Sequence, residues 1–218
     1  MAEALIVGAG DGLSASLARL LAREGYAVRL AARNTAKLAA LCAETGASAH
    51  ACDAADPAQV AALFAAAGEA AEVVVYNASF RTRGPIAELD PEEVRRALEV
   101  CAFGGFLVAQ QAARRMLARG TGTILLTGAS AGVKGYPRSA PFAMGKFALR
   151  GLAQSLAREL GPQGIHVVHF VIDGAVVHED RDDRLTPKAI AASYMAALRQ
   201  PPGAWSWEIE LRSQDEPF

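Results

Sequence analysis

The sequence predicts an α/β fold: a doubly wound parallel sheet of about seven strands with helices on both faces. Three observations predict it. Short, largely apolar runs recur along the chain (residues 4–7, 73–76, 122–127 and 164–172), as expected of strands buried on both sides. Segments with apolar residues at helical spacing alternate with them, the order that builds a parallel sheet from βαβ units. A glycine-rich turn joins the first run to the first helix. At 218 residues, 52% of them hydrophobic, the chain is expected to close one domain over residues 1–218, ending in a short helix and an edge strand over about 186–211.

Composition excludes several classes of function. A net charge of −1 gives no electrostatic reason to expect nucleic acid or an anionic membrane as partner. Cys42, Cys52 and Cys101 show no CxxC spacing, and an odd count suits reduced thiols. Glu3 stands where a secretion signal needs positive charge, and no apolar run approaches the roughly 18 residues of a membrane span. A cytoplasmic location is the expectation.

Residues 4–7 (ALIV) form the first strand, GAGDGLSAS follows, and LARLLAREG reads as a helix. Strand, Gly-rich turn and helix in this order make the first βα unit of a Rossmann-type, dinucleotide-binding fold. Gly8 and Gly12 let the backbone turn tightly and approach a pyrophosphate on free N–H groups at the helix start. Residues 26–32 are the second strand, ending at Arg33. An acidic residue here would hold a ribose 2′-hydroxyl, whereas Arg33 suits a 2′-phosphate. The expectation is therefore NADP(H) in preference to NAD(H), the alternative being an arginine that merely opens a solvated loop.

A helix over 35–44 leads to a third strand at 48–52 and to Asp53. Asp56 before Pro57 suits a helix cap, which leaves Asp53 available. The fourth strand, 73–76, is followed by Asn77, on the edge where open α/β sheets bind ligands. Residues 80–89 form a loop in which Arg81 and Arg83 face either solvent or an anionic substrate. Asp90-Pro91-Glu92-Glu93 is a strong helix start, and one long helix is expected from it through to Gly120, with Gly104-Gly105 implying close packing. Gly122–Thr127 is the fifth strand, and a helix from about Ser139 carries Phe142 and Lys146 one turn apart on one face. The sixth strand, 164–172, holds His166 and His169 on opposite sides, so they cannot share a metal. Residues 179–185 (EDRDDRL) read as a solvated loop. Thr186-Pro187 starts the last helix, and residues 205–211 alternate like an edge strand.

From Thr127 through TGASAGVKGYPRSAPFAMGKFALRG and on to VIDG, the chain resembles the short-chain dehydrogenase/reductase family. The Gly-rich first turn, Asn77-Ala78 and the Lys146 helix extend the resemblance over nearly the whole length, with Ser14 replacing the third glycine of the family's turn. The family's signature is a Tyr four residues before a Lys, with a Ser thirteen residues before that Tyr. Here the Lys position is Lys146, the Tyr position Phe142 and the Ser position Ala129; Cys101 stands where a helix of the family carries an Asn.

The resemblance implies an NADP(H)-binding oxidoreductase with altered or impaired proton transfer and an unknown small-molecule substrate; the alternative is a non-catalytic dinucleotide sensor or scaffold. It implies Lys146 as the retained catalytic residue and ribose ligand. It places Gly8, Gly10, Asp11, Gly12 and Leu13 at the pyrophosphate, Asp53 and Ala54 at the adenine, and Asn77 and Ala78 along the nucleotide. Gly174 and Val176 would lie at the nicotinamide, with Val177 and His178 where a Thr usually stands. No metal is implied. A homodimer or homotetramer is expected through the helices that follow Pro91 and Ser139. Thr127, Ser130, Tyr136, Ser139 and Cys101 are nearby polar candidates, but none lies four residues before Lys146, and Cys101 is expected to be buried packing.

Overall fold

The structure, a computed structural model, describes residues 2–177 and 183–214. In chain order it comprises β1 (Glu3–Val7), α1 (Leu13–Arg23), β2 (Ala27–Ala32), α2 (Ala39–Thr45), β3 (Ser48–Ala51), α3 (Pro57–Ala67) and β4 (Ala71–Tyr76). Then follow α4 (Pro91–Leu98), α5 (Gly104–Arg119), β5 (Gly122–Thr127), α6 (Ala140–Leu160), β6 (Ile165–Asp173), α7 (Pro187–Leu198) and β7 (Glu208–Arg212). The seven strands form one parallel sheet in the order β3-β2-β1-β4-β5-β6-β7. Winding outward from β1 toward β3, and from β4 toward β7, leaves a switch point between β1 and β4, where a crevice opens beyond the strand ends.

Strand alternation sorts the core into two layers. On β1, Ala4 and Ile6 join Leu17 and Leu21 of α1 and Tyr194 of α7 on one face. Leu5 and Val7 join Phe64 of α3, Val108 of α5 and Leu149 of α6 on the other. Side chains one apart on a strand point to opposite faces, so a continuous apolar run serves both layers at once. Three helices start where a cap is followed by proline. Asp56 accepts from Ala58 and Gln59 N–H at 2.8 and 3.1 Å, Asp90 from Glu92 at 2.9 Å, and Thr186 from Ala189 at 3.1 Å.

The structure corrects several expectations. The single helix expected from Asp90 is interrupted by a π turn over Glu99–Phe103, closed by a hydrogen bond from Gly104 N–H to the Glu99 carbonyl. The Tyr76 hydroxyl reaches in from β4 to donate to the Val100 carbonyl. A Cβ on Gly104 would meet that hydroxyl at 2.4 Å and the Ala54 carbonyl at 2.7 Å, so glycine is what lets the helix resume there. The helix expected over 35–44 begins as a tight turn, Ala36–Leu38, before α2. The last strand is β7 rather than 205–211: residues 202–204 make a tight turn, and the Trp205 ring stacks on His166 at 4.7 Å instead of entering the ladder. His178 and residues 179–182 of the expected solvated loop lie outside the described residues. At its far end Leu185 is buried and its carbonyl accepts from Val177 N–H at 2.9 Å, so that end packs on the fold.

Candidate functional site

The first cleft lies at the switch point, with a volume of about 530 Å³. Of the residues expected to hold a nucleotide, Gly8, Arg33, Asp53, Ala54, Asn77 and Ala78 all line it. Gly8 adopts φ 85°, and a Cβ there would meet the Ala78 backbone nitrogen at 2.3 Å, so the first turn closes against the end of β4 only because this residue is glycine. Ser14, in place of a third glycine, is buried; its hydroxyl donates to the Gly8 carbonyl at 3.3 Å and accepts from the Asn77 amide at 2.8 Å. That side chain pins Asn77 to the turn.

Gly10, Asp11 and Gly12 continue the turn, and Leu13 is the first residue of α1. None of the four is on the cleft wall. Gly12 caps α1 without a side-chain acceptor, so the first N–H groups of the helix have no protein side chain to bind.

The wall also carries Ser79, which follows Asn77-Ala78 where the resembling family has Gly, and residues the sequence reading gave no such role: Ala9, Asn34, Lys37, Cys52 and Val100. Lys37, four residues after Arg33, was recoverable as a second cation at the end of β2. Both side chains are exposed, and neither has an ion-pair or hydrogen-bond partner among the described residues. Asp53 accepts from Ala55 N–H at 3.0 Å through one carboxylate oxygen, while Asp56 is occupied as the cap of α3. Burial, helped by Asp53 and Asp56, pushes the Cys52 thiol up to about 11, which keeps it protonated and unreactive.

Phe142, Ala129 and Cys101 come together from three separate elements. Cys101 is fully buried in the π turn and packs with Phe142 and Ala131, with Ala129 against them. The Cys101 sulfur donates to the Phe80 carbonyl at 3.3 Å and lies 3.4 Å from Phe80 N–H. A Cβ on Gly145 would meet the Cys101 Cβ at 2.7 Å, so α6 is pressed against this cluster. Lys146 lies behind Phe142, with Nζ 5.6 Å from the ring centroid, and donates to the Thr127 carbonyl at 2.8 Å. It is 3% exposed, and burial holds its pKa below the ordinary lysine range. Thr127 is not a candidate donor: its hydroxyl is paired with Tyr194 at 2.8 Å inside the core.

A second cleft, of about 650 Å³, is joined to this cluster through Arg81, which lines the cleft and lies over the Phe142 ring. Ser130, Tyr136, Ser139 and Gly174 line it, with Arg81, Arg83 and Arg138. Gly174 follows β6 at φ 141°, whereas Val176 pairs with Leu185 and stands on neither cleft wall. Of the expected nucleotide residues, six line the first cleft and Gly174 the second, Lys146 is buried, and Gly10, Asp11, Gly12, Leu13 and Val176 are on neither wall. Among the described residues no cluster of His, Cys, Asp or Glu could hold a metal.

A parallel doubly wound sheet with an open crevice at its switch point places the chain in the Rossmann class. The short chain dehydrogenase family model matches residues 2–181, and the chain belongs to that family, whose members are NAD(P)-dependent oxidoreductases. A trans-4-hydroxycyclohexanecarboxylate dehydrogenase of Sinomonas cyclohexanicum is 34% identical over 75% of this chain and 68% of its own length. A D-threitol dehydrogenase of Mycolicibacterium smegmatis is 31% identical over 75% of this chain and 66% of its own. The chain thus spans about two thirds of these relatives' lengths. The crystal structure of a short-chain dehydrogenase from Rhodopseudomonas palustris superposes with a TM-score of 0.87 at 37% identity, covering 97% of this chain and 98% of that one. A metagenomic short-chain oxidoreductase in complex with NADP does so at 0.86 and 27%, covering 98% and 97%.

Proposed function

We propose that the chain is an NADP(H)-dependent oxidoreductase acting on a small carbonyl, alcohol or activated alkene, with proton transfer that does not pass through a tyrosine. The observation that carries it is the pair of unpartnered cations, Arg33 and Lys37, on the wall of the first cleft. They would face a 2′-phosphate where an acidic residue would repel it. The group fits the residues present: a side-chain-free Gly8, an α1 start with no side-chain acceptor, and Asn77 fixed by Ser14.

When bound, the nicotinamide supplies or accepts hydride. Gly8 to Leu13 would hold the pyrophosphate, Asp53 and Ala54 the adenine, and Asn77 and Ala78 the length of the nucleotide. Lys146, with one donor on the Thr127 carbonyl, would give a remaining donor to a ribose, and Gly174 would offer backbone at the nicotinamide. Phe142 and Ala129 carry no transferable proton, so water in the second cleft exchanges it with the substrate. Nothing among the described residues or the relatives favours a non-catalytic role.

Calorimetric titration tests the cofactor reading. NADPH is expected to bind at least about tenfold more tightly than NADH, in line with one charge-assisted contact at an exposed site. Arg33→Ala should erase most of that difference while leaving NADH unchanged. Equal affinities, or no binding of either nucleotide, would overturn the reading.

A homodimer or homotetramer is part of the same proposal. Phe103, Phe106, Met144 and Phe147, between 41% and 49% exposed, lie on the π turn, α5 and α6, and the Phe103 and Phe106 rings stack at 6.1 Å. Apolar groups gathered on adjacent helices suit burial against a second copy. Light scattering should report an oligomer for the native chain and a monomer for Phe106→Glu with Phe147→Glu; a native monomer would refute it. A single domain in the cytoplasm completes the proposal: all three cysteines are free, and no helix among the described residues is long and apolar enough to cross a membrane.

A further inference from the structure

We infer that the second cleft receives a substrate bearing an anionic group, a carboxylate or a phosphate, held among Arg81, Arg83 and Arg138. The substrate role of the cleft rests on the oxidoreductase reading; the anion site itself does not. Three arginines line this cleft and no acidic residue does, although the chain as a whole carries a net charge of −1. Among the described residues none of the three has an ion-pair partner, while Arg19, Arg29, Arg95, Arg115 and Arg150 are all paired with glutamates. Other exposed arginines, Arg33 and Arg96 among them, also lack a carboxylate within the described residues; what sets these three apart is that they line one cleft together.

The loops hold them in place. The Arg81 guanidinium lies over the Phe142 ring, 4.7 Å from its centre. Burial and the neighbouring Arg83 both weaken its hold on its proton, so the two side chains are close enough for mutual repulsion to be felt. Arg138 is the only non-glycine residue with positive φ among those described, at 61°, and its carbonyl accepts from Gly84 N–H at 3.1 Å, tying its loop to the one that carries Arg81 and Arg83. A long side chain in the left-handed region is strained, and such strain persists where the surroundings fix it.

Ser139 supplies a separate observation. It lines the same cleft, it is 3% exposed, and its hydroxyl has no hydrogen-bond partner among the described residues. A buried hydroxyl without a partner is rare, and an anion oxygen in the cleft would supply one. Guanidinium groups bind carboxylate and phosphate oxygens in pairs, which fixes orientation as well as charge. A substrate held in this way would be positioned at its anionic end, on the side where Phe142 and Ala129 offer no hydrogen bond.

Calorimetric titration at low salt with succinate and, separately, with inorganic phosphate tests the inference on the full chain. At least one of the two is expected to bind, and the tighter one identifies the group. Arg81→Gln with Arg138→Asn, the latter a residue that tolerates the left-handed region, should weaken that binding tenfold or more. Arg33→Ala, at the other cleft, should leave unchanged the succinate binding, and the part of the phosphate binding that answers to Arg81 and Arg138. NADPH titrated into the Arg81/Arg138 variant should bind as it does to the native chain, which confirms folding and reports the first cleft separately. No binding of either anion, binding that survives the double variant in full, or succinate binding lost with Arg33→Ala would overturn the inference even with NADPH binding intact. Anion binding that follows Arg81 and Arg138 without NADPH binding would sustain the anion site and sink the cofactor reading.

Discussion

Ala129→Ser combined with Phe142→Tyr is expected to raise NADPH-dependent carbonyl reduction by about 10²–10⁴-fold, the usual scale for a positioned acid–base group. The serine adds an oxygen-polarising donor, a role that contributes about 10²–10³-fold elsewhere, and the two are not expected to add fully. The structure gives the new phenol its setting. Phe142 is 8% exposed, with Arg81 over its face and Lys146 Nζ 5.6 Å from its centre. Two cations beside a phenol favour its ionised form and lower its pKa, bringing it closer to the range in which it gives and takes protons near neutrality. Ala129 belongs to the same small cluster, so a hydroxyl there would lie close to the phenol. Loss of NADPH absorbance with a 2-oxo acid and with a neutral ketone is the measurement. A rise with either confirms that the proton donor is the missing part. A double variant that binds NADPH and shows no gain would place the defect elsewhere, with Cys101 in the π turn the first position to examine.

The fold was legible because its signals are local. Runs such as residues 4–7 and 122–127 declare buried strands, and Asp56-Pro57, Asp90-Pro91 and Thr186-Pro187 declare helix starts through groups only a few residues apart. The first cleft was legible for the same reason: Gly8, Arg33, Asp53 and Asn77 each stand at the carboxyl end of a strand, and parallel strands bring those ends to one edge. What stayed hidden depends on contacts distant in sequence. The π turn sits where Tyr76 and Gly104, from different elements, meet at Val100 and Ala54. The Gly104-Gly105 pair announces close packing, but neither residue marks a π turn. Ser14 reads as a small replacement for glycine, yet its hydroxyl orders Asn77 across 63 positions. Arg138 lies in an ordinary-looking loop, and nothing in its neighbours signals a positive φ. Arg81 and Arg83 were visible as charges, but whether they met solvent or a cleft depended on the loop around Arg138.

Lys146→Met is expected to move stability and nucleotide affinity in opposite directions. The ammonium group of Lys146 is buried, with one hydrogen bond to a backbone carbonyl and no carboxylate partner among the described residues. Its pKa is lowered by burial, with the Cys101 thiol acting weakly the other way. The sign for stability follows. Between the lowered folded pKa and the ordinary lysine value of about 10.4, the unfolded chain binds more protons than the folded one, so stability rises with pH through that window. Below it the cost of burying the charge is present in full; above it the cost is gone. Methionine has a similar length and no charge, so the variant should be more stable than the native chain at neutral pH by about 1 kcal/mol or more. That advantage should shrink as the pH approaches 10. Affinity for NADPH should fall roughly 10–100-fold, as befits a lost charge-assisted hydrogen bond to a ribose. Denaturant titrations at pH 7 and near pH 10, run beside calorimetry, read both. A variant that is less stable and binds NADPH normally would make Lys146 a packing residue. A more stable variant that binds poorly would show a lysine retained against the fold's own preference, which is what a binding role predicts and a structural one does not.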